Sequence, residues 1–412
     1  MKVLLAFLLG CISLHSFSQE KDLRYFMDKA QKNSPLLVDY KNQMQSATLD
    51  SLLNIATRKP QVTGSVYGNY APVIQGFGYD TTLSNGQMLT GLVGVNQKLV
   101  SKNNRTTQLQ SFKLIKDALA VTKKIAVKDL NRTIISQYIS ATATLEQLTN
   151  TKKTATLLHE EASILKKLTQ NSVYKQTDYL IFMATVKQQE IVVLQLQQQY
   201  QNDLGLLYYL SGEVDTTSVN LPKPTITLQN KPAMGKSIFF QTFEKDSLKF
   251  QNQNKIIDFA YKPSISLLAD AGYMSALTYL PYKNFGASVG VGLSVPIYDG
   301  KQRNLQHQKI TALLETNLAY QTNFKKQYQQ QVAILNQQLK QIEQLETQLQ
   351  SQLLLADALI EANKKLLLTG DAQITEFVLA IGSILNIQSS ISQNHIHKLQ
   401  VINEINYWST ND

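Results

Sequence analysis

Histidine is the first residue type to weigh for chemistry, because it titrates near neutral pH and ligates metals readily. The chain holds five, His15, His159, His307, His395 and His397, and none has partners at metal-ligand spacing. His395 and His397 stand two apart on an expected helix, so they face different ways. Two glycine motifs fail for similar reasons. "GVG" at Gly290 to Gly292 lacks the third glycine and the strand–loop–helix setting of a dinucleotide fingerprint. "DGK" at Asp299 has no glycine at phosphate-loop spacing, and Gln302 follows its lysine. No catalytic, cofactor-binding or metal-binding set is expected, and the chain is not read as an enzyme. Two carboxylates remain of interest, Asp178 and Glu376, each directly after a threonine where a helix should begin. A carboxylate there can cap the helix and offset its dipole.

The elements that must carry these residues are marked by proline and glycine. No proline lies between Val73 and Leu221 or after Pro296, and no glycine lies between Val95 and Leu204 or from Lys301 to Thr369. Those gaps are filled with Gln, Leu, Ala, Lys and Ile, and apolar residues such as Leu335, Leu339, Ile342 and Leu345 recur at helical spacing. The pattern predicts very long helices. One from about Ser101 to Leu168 would extend roughly 100 Å at 1.5 Å per residue. The abundant glutamines suit either the wet wall of a channel or the solvated face of a coiled coil.

The chain is internally duplicated. Arg105 and Arg303, Lys166 and Lys364, and Tyr209 and Tyr407 are aligned anchors, each pair 198 residues apart. They make Gln87–Gly212 and Phe285–Thr410 the same unit. Upstream, "KPQVTGSVYGNY" from Lys59 matches "KPSISLLADAGY" from Lys262 at a separation of 203, so the second connecting loop is 5 residues shorter. Each half reads helix, strand, loop, strand, very long helix, shorter helix. The expected divisions are a leader over 1–18, a first repeat over 19–212, a proline-bearing linker over 213–234 and a second repeat over 235–412.

Each repeat supplies two strands near the ten-residue length of a membrane barrel stave. In "NFGASVGVGLSVPIYDG", Val289, Val291, Leu293 and Val295 alternate with small residues that include Ser288 and Ser294. Ile265, Leu267 and Ala269, and Val62, Val66, Leu89, Val93 and Val95, extend the expected lipid-facing set. Thr90, Asn96, Thr63, Ser65, Asn69, Ser264, Ser266 and Asp270 join Ser288 and Ser294 on the expected lumen-facing side. Aromatic residues Tyr70, Phe77, Tyr79, Tyr273, Tyr279, Tyr282, Phe285 and Tyr298 cluster at strand ends and hairpin loops, where interfacial girdles or loop packing would place them. Four strands cannot close a barrel, since about eight is the smallest size. An open edge in lipid would leave backbone groups unsatisfied, so the chain is expected to oligomerise.

The first residues point to export. Lys2, the apolar run Val3 to Leu14 and the small residues of "SFS" ending at Ser18 read as a secretory signal peptide cut before Gln19. Cys11, the single cysteine, lies inside it. "LLGC" has the form of a lipoprotein box, but the run before Cys11 is short and apolar residues continue past it. No later segment is expected to be apolar enough for a spanning helix. Forty Lys and Arg against thirty Asp and Glu give a net charge of +10. These cations are spread along the whole chain, which favours a solvated basic surface over a nucleic-acid site.

"GVGLSVPIYDGKQRNLQHQK", the two "KP" strand starts, "NSPLL" and the 198-residue repeat together resemble the bacterial outer-membrane efflux protein family, the TolC-like outer membrane factors. The resemblance implies an α+β, mostly α fold: a trimeric outer-membrane β-barrel with four strands per protomer, continued by a long α-helical periplasmic barrel. It implies a homotrimer in a Gram-negative outer membrane that works with a periplasmic adaptor and an inner-membrane pump of RND or ABC type in efflux or type I secretion. In related channels acidic side chains near Asp178 and Glu376 ring the periplasmic constriction, which makes these two the candidate gate. The first repeat departs from the pattern at "NQKLVSKN", which replaces "SVPIYDG". The alternative reading is a periplasmic adaptor of membrane-fusion type, which also carries a long helical hairpin but only one.

Overall fold

The computed structural model describes residues 21–80, 82, 86–229, 237–278, 280–371 and 373–409. The expected signal peptide with Cys11 and His15, the end of the linker, and Tyr279 lie outside the described residues. The elements run in the order α1 (Leu23–Asn33), α2 (Pro35–Ala56), β1 (Gln61–Tyr70), β2 (Gln87–Leu99), α3 (Lys102–Gln170), α4 (Gln176–Ser211), α5 (Ile238–Ala260), β3 (Ser264–Ser275), β4 (Phe285–Ser294), α6 (Gln302–Thr369) and α7 (Ile374–Ser409). The series helix, strand, strand, long helix, shorter helix is passed through twice. α4 and α7 are both 36 residues long, and both their ends are offset by 198.

Two compact units form from discontinuous stretches. The first takes the described parts of Met1–Pro35, Ala126–Ala233 and Tyr328–Asn411; the second takes those of Leu36–Ile125 and Met234–Gln327.

The first unit is a helical assembly built on aromatic and aliphatic anchors. Phe26 of α1 is fully buried, with its ring 5.7 Å from Tyr208 and 6.1 Å from Tyr138. Around it close Ile134, Leu148, Leu204 and Leu207. The linker after α4 is extended and pinned by side chains. The Tyr138 hydroxyl donates to the Pro222 carbonyl at 2.7 Å, and the Asn406 amide group donates to the Thr227 carbonyl at 2.8 Å and accepts from the Gln229 N–H at 2.9 Å. Gly212, at φ 70°, ends α4 in the left-handed conformation that favours glycine. A second cluster joins Leu335 and Ile342 of α6 to Val401 and Ile405 of α7. Contrary to the expectation from sequence, α7 is long and apolar enough over one stretch to cross a membrane by composition alone. The apolar content has a local use: Ile374, Phe377, Ile381, Ile384 and Ile387 are core residues of this unit.

The second unit holds a four-stranded antiparallel sheet in the order β1-β2-β3-β4. The two hairpins are joined through β2 and β3, whose register pairs Val93 with Ala271 and Val95 with Ala269. Gly272 is required at its place: φ is +155°, and a Cβ there would lie 2.1 Å from the Gly91 carbonyl oxygen. β1 and β4 each have one paired side and one open edge.

Candidate functional site

The register sorts the strand residues into two faces. Val62 stands opposite Val95, Val95 opposite Ala269, and Ala269 opposite Val289. The next row but one gives Gln97, Leu267 and Val291, followed by Leu99, Ile265 and Leu293. An apolar face therefore continues across all four strands, and it is open: Val289 is 88%, Val291 72% and Val66 84% exposed. Val295 falls one residue past the last pair of β4, because Pro296 next to it has no N–H to continue a ladder. The opposite face brings together Thr63, Ser65, Asn69, Thr90, Asn96, Ser264, Ser266, Asp270, Ser288 and Ser294. The Ser288 hydroxyl donates to the Asp270 carboxylate at 2.7 Å. That face is less uniformly polar than expected, since Tyr67, Met88, Leu92, Leu268 and Met274 share it. Thr90 is buried in consequence, placed between Tyr67 and Met274 in the register. Of the expected aromatic set, Tyr70, Phe77, Tyr79, Tyr282, Phe285 and Tyr298 are exposed, and Phe285 lies 5.2 Å from Tyr273, ring to ring.

The second place of interest is in the first unit, where α3 turns into α4 and α6 into α7. Ser172 (φ 65°) and Gly370 (φ 84°) occupy the same repeat position, and both adopt the left-handed conformation that reverses the chain. A core of Leu158, Leu165, Phe182, Val186, Leu367, Phe377 and Ile381 ties the two turns together, with the Phe182 and Phe377 rings stacked 6.0 Å apart. Polar links reinforce it. The Tyr174 hydroxyl donates to the Leu367 carbonyl at 3.1 Å, and Lys364 pairs with Glu161 at 2.8 Å. That hydrogen bond to Glu161 holds the Lys364 ammonium above its usual pKa.

On these turns Asp178 and Glu376 differ. The Asp178 carboxylate accepts the Lys175 backbone N–H at 3.1 Å, so it closes the first turn of α4 as a cap. Glu376 sits in the first turn of α7 and is exposed. One turn further on, Ile181 and Leu379 are exposed apolar residues at equivalent positions. Two of the histidines have ordinary partners: His159 lies 2.9 Å from Glu190, and His307 lies 3.0 Å from Asn254 and 3.1 Å from Asp258. Among the described residues no group of three or more His, Cys, Asp or Glu could hold a metal. The Glu161–Lys364 link was not anticipated from sequence, because partners 203 residues apart on two different helices leave no periodic signal.

The fold is similar to that of solved bacterial outer-membrane channels. The outer membrane protein VceC from Vibrio cholerae matches with a TM-score of 0.75 over 94% of this chain and 95% of its own, at 14% identity. CusC, described in structures of folding and transmembrane channel formation, matches with a TM-score of 0.77 over 95% and 93%, at 12% identity. The Campylobacter jejuni CmeC outer membrane channel matches with a TM-score of 0.72 over 94% and 85%, at 14% identity. No family model matches the sequence, and no curated protein matches it either. At such identities the likeness defines the fold, a TolC-like α+β fold that is mostly α.

Proposed function

We propose that this chain is the outer-membrane channel of a tripartite efflux or type I secretion system, passing substrates from an inner-membrane pump and a periplasmic adaptor to the exterior. The observation that carries the reading is the exposed apolar face running unbroken across four strands, on a sheet with two open edges. Water would penalise that face at about 25 cal/mol per Å², whereas lipid would accept it. A homotrimer would supply twelve strands and remove every edge. Exposed aliphatic residues such as Leu194, Leu354 and Leu355 offer neighbouring copies apolar contact along the long helices. The helices would then lie in the periplasm, with the two duplicated turns at the end that faces the adaptor and pump. Asp178 and Glu376 would stand at that end as an acidic ring.

The test is fractionation. Separation of inner from outer membranes, followed by carbonate extraction, should leave the protein in the outer-membrane pellet. Recovery in the carbonate-soluble periplasmic fraction would overturn the channel reading and revive the adaptor. The adaptor reading gains nothing from the sheet, in which each repeat contributes a complete strand pair.

A further inference from the structure

Where each strand pair hands over to its long helix, the second unit has a cavity, and the two copies differ in charge balance. In the second repeat Arg303 is neutralised: its guanidinium lies 2.7 Å from the Asp258 carboxylate, which also faces His307 at 3.1 Å. In the first repeat the equivalent arginine is Arg105, but Ile55 stands where Asp258 would be and Leu109 where His307 would be. A second arginine, Arg58, takes the place of Tyr261. The resulting cavity, of about 370 Å³, is lined by Arg58, Lys59, Lys98 and Arg105 and by no carboxylate. Among the described residues none of these four cations has an ion pair.

Arg58 is the most demanding of them. Its Nη2 donates to the side-chain oxygens of Asn54 and Gln108, which are neutral acceptors. Its Nη1 is buried without any hydrogen-bond partner. Burial, and then the positive charge of Arg105, draw the Arg58 guanidinium below its usual pKa. A buried guanidinium nitrogen left unpaired is costly, and two arginines brought together without a counter-charge ask for an anion that accepts several N–H bonds. A phosphate oxygen set meets that geometry, since the guanidinium fork binds it bidentately.

We infer that the cavity between α2, the end of β2 and the start of α3 binds a phosphate group, with Arg58 and Arg105 as its direct ligands and Lys59 and Lys98 as flanking charges. Leu99, exposed and on the apolar face at the end of β2, adjoins the same cavity. The source of the phosphate follows from that neighbour. If the apolar face lies in lipid, as proposed above, the cavity sits at headgroup level and an anionic phospholipid fits it. The lipid source rests on that reading; the anion site does not.

The test uses the full-length protein purified in mild detergent. Native mass spectrometry with phosphatidylglycerol should show one lipid retained per chain, and phosphatidylcholine should be retained much less. Inorganic phosphate is titrated in parallel by calorimetry. Arg58→Gln with Arg105→Gln should weaken binding at least tenfold. Ile55→Asp keeps both arginines and restores the internal carboxylate of the second repeat, and it should weaken binding comparably. That variant decides the matter should the double variant misfold. Tight binding of inorganic phosphate without retention of phosphatidylglycerol supports the site and assigns it to a soluble anion. Binding of neither by the wild type, or equal binding by wild type and Ile55→Asp, overturns the proposal. Failure of the membrane reading would appear separately, as a protein soluble in carbonate.

Discussion

Val291 and Ser288 stand three residues apart on one strand and belong to opposite faces of the sheet. Val291 lies between Val289 and Leu293 on the apolar face of β4, and Ser288 bonds to Asp270 among the small polar residues. An arginine on a lipid-facing barrel position costs about 2–4 kcal/mol near the bilayer midplane. Val291→Arg should therefore cut the yield of assembled protein in the membrane severely, while Ser288→Arg should be tolerated; equal yields would contradict the assigned faces. At the turns, Asp178→Asn with Glu376→Gln tests the acidic ring. If the ring operates, single channels in planar bilayers lose cation selectivity and divalent-ion block while assembly persists. If Asp178 serves only the Lys175 N–H that it accepts, selectivity stays and stability changes little, because the amide oxygen of asparagine can accept the same N–H. The two faces were legible because a period of two survives in any strand, whatever surrounds it. The cap was half legible, since Thr177 and Asp178 mark a helix start, but which N–H the carboxylate takes depends on turn geometry. Arg58 was not legible at all: it looked like one of forty scattered cations until the fold set it against Arg105.

At the scale of elements, α1 is held to the first unit by Phe26 and by a polar cluster at the end of α4. Glu213 accepts the Tyr25 hydroxyl at 2.7 Å and pairs with Lys29 at 2.8 Å. Burial alone would raise the Glu213 pKa, but the hydrogen bonds from Lys29 and Tyr25 outweigh it and hold the carboxyl below the ordinary value. A carboxylate whose folded pKa is depressed stabilises the fold above its unfolded pKa, about 4.3, and that contribution is lost as pH falls through the folded value. Glu213→Gln should thus lower the melting temperature at pH 7, with the gap to wild type closing below about pH 4.3. A gap that stays constant across that range would show that the charge plays no part. Truncating the anchor itself, Phe26→Ala, should cost about 3–5 kcal/mol and release α1, which protease cleavage within Leu23–Asn33 would report. The helices themselves could be placed from the proline and glycine gaps: α3 was expected from Ser101 to Leu168 and runs Lys102–Gln170. The strap made by the linker could not. Its bonds join residues such as Tyr138 and Pro222 that lie far apart in sequence, and no periodicity encodes them.

For the molecule as a whole, duplication explains most of what was foreseeable. Two copies of one unit, offset by 198 residues, give two hairpins that meet at β2 and β3 and leave β1 and β4 each with one open edge. A sheet of four strands with one largely apolar, exposed face and two open edges has no resting place as a single copy in water or in lipid. The account's central claim is that copies of this chain complete the sheet as a closed barrel. Its most direct test is the mass of the full-length protein in mild detergent by light scattering, with the detergent contribution subtracted. Three chains per particle is the predicted result. A monodisperse particle holding one chain would contradict the account.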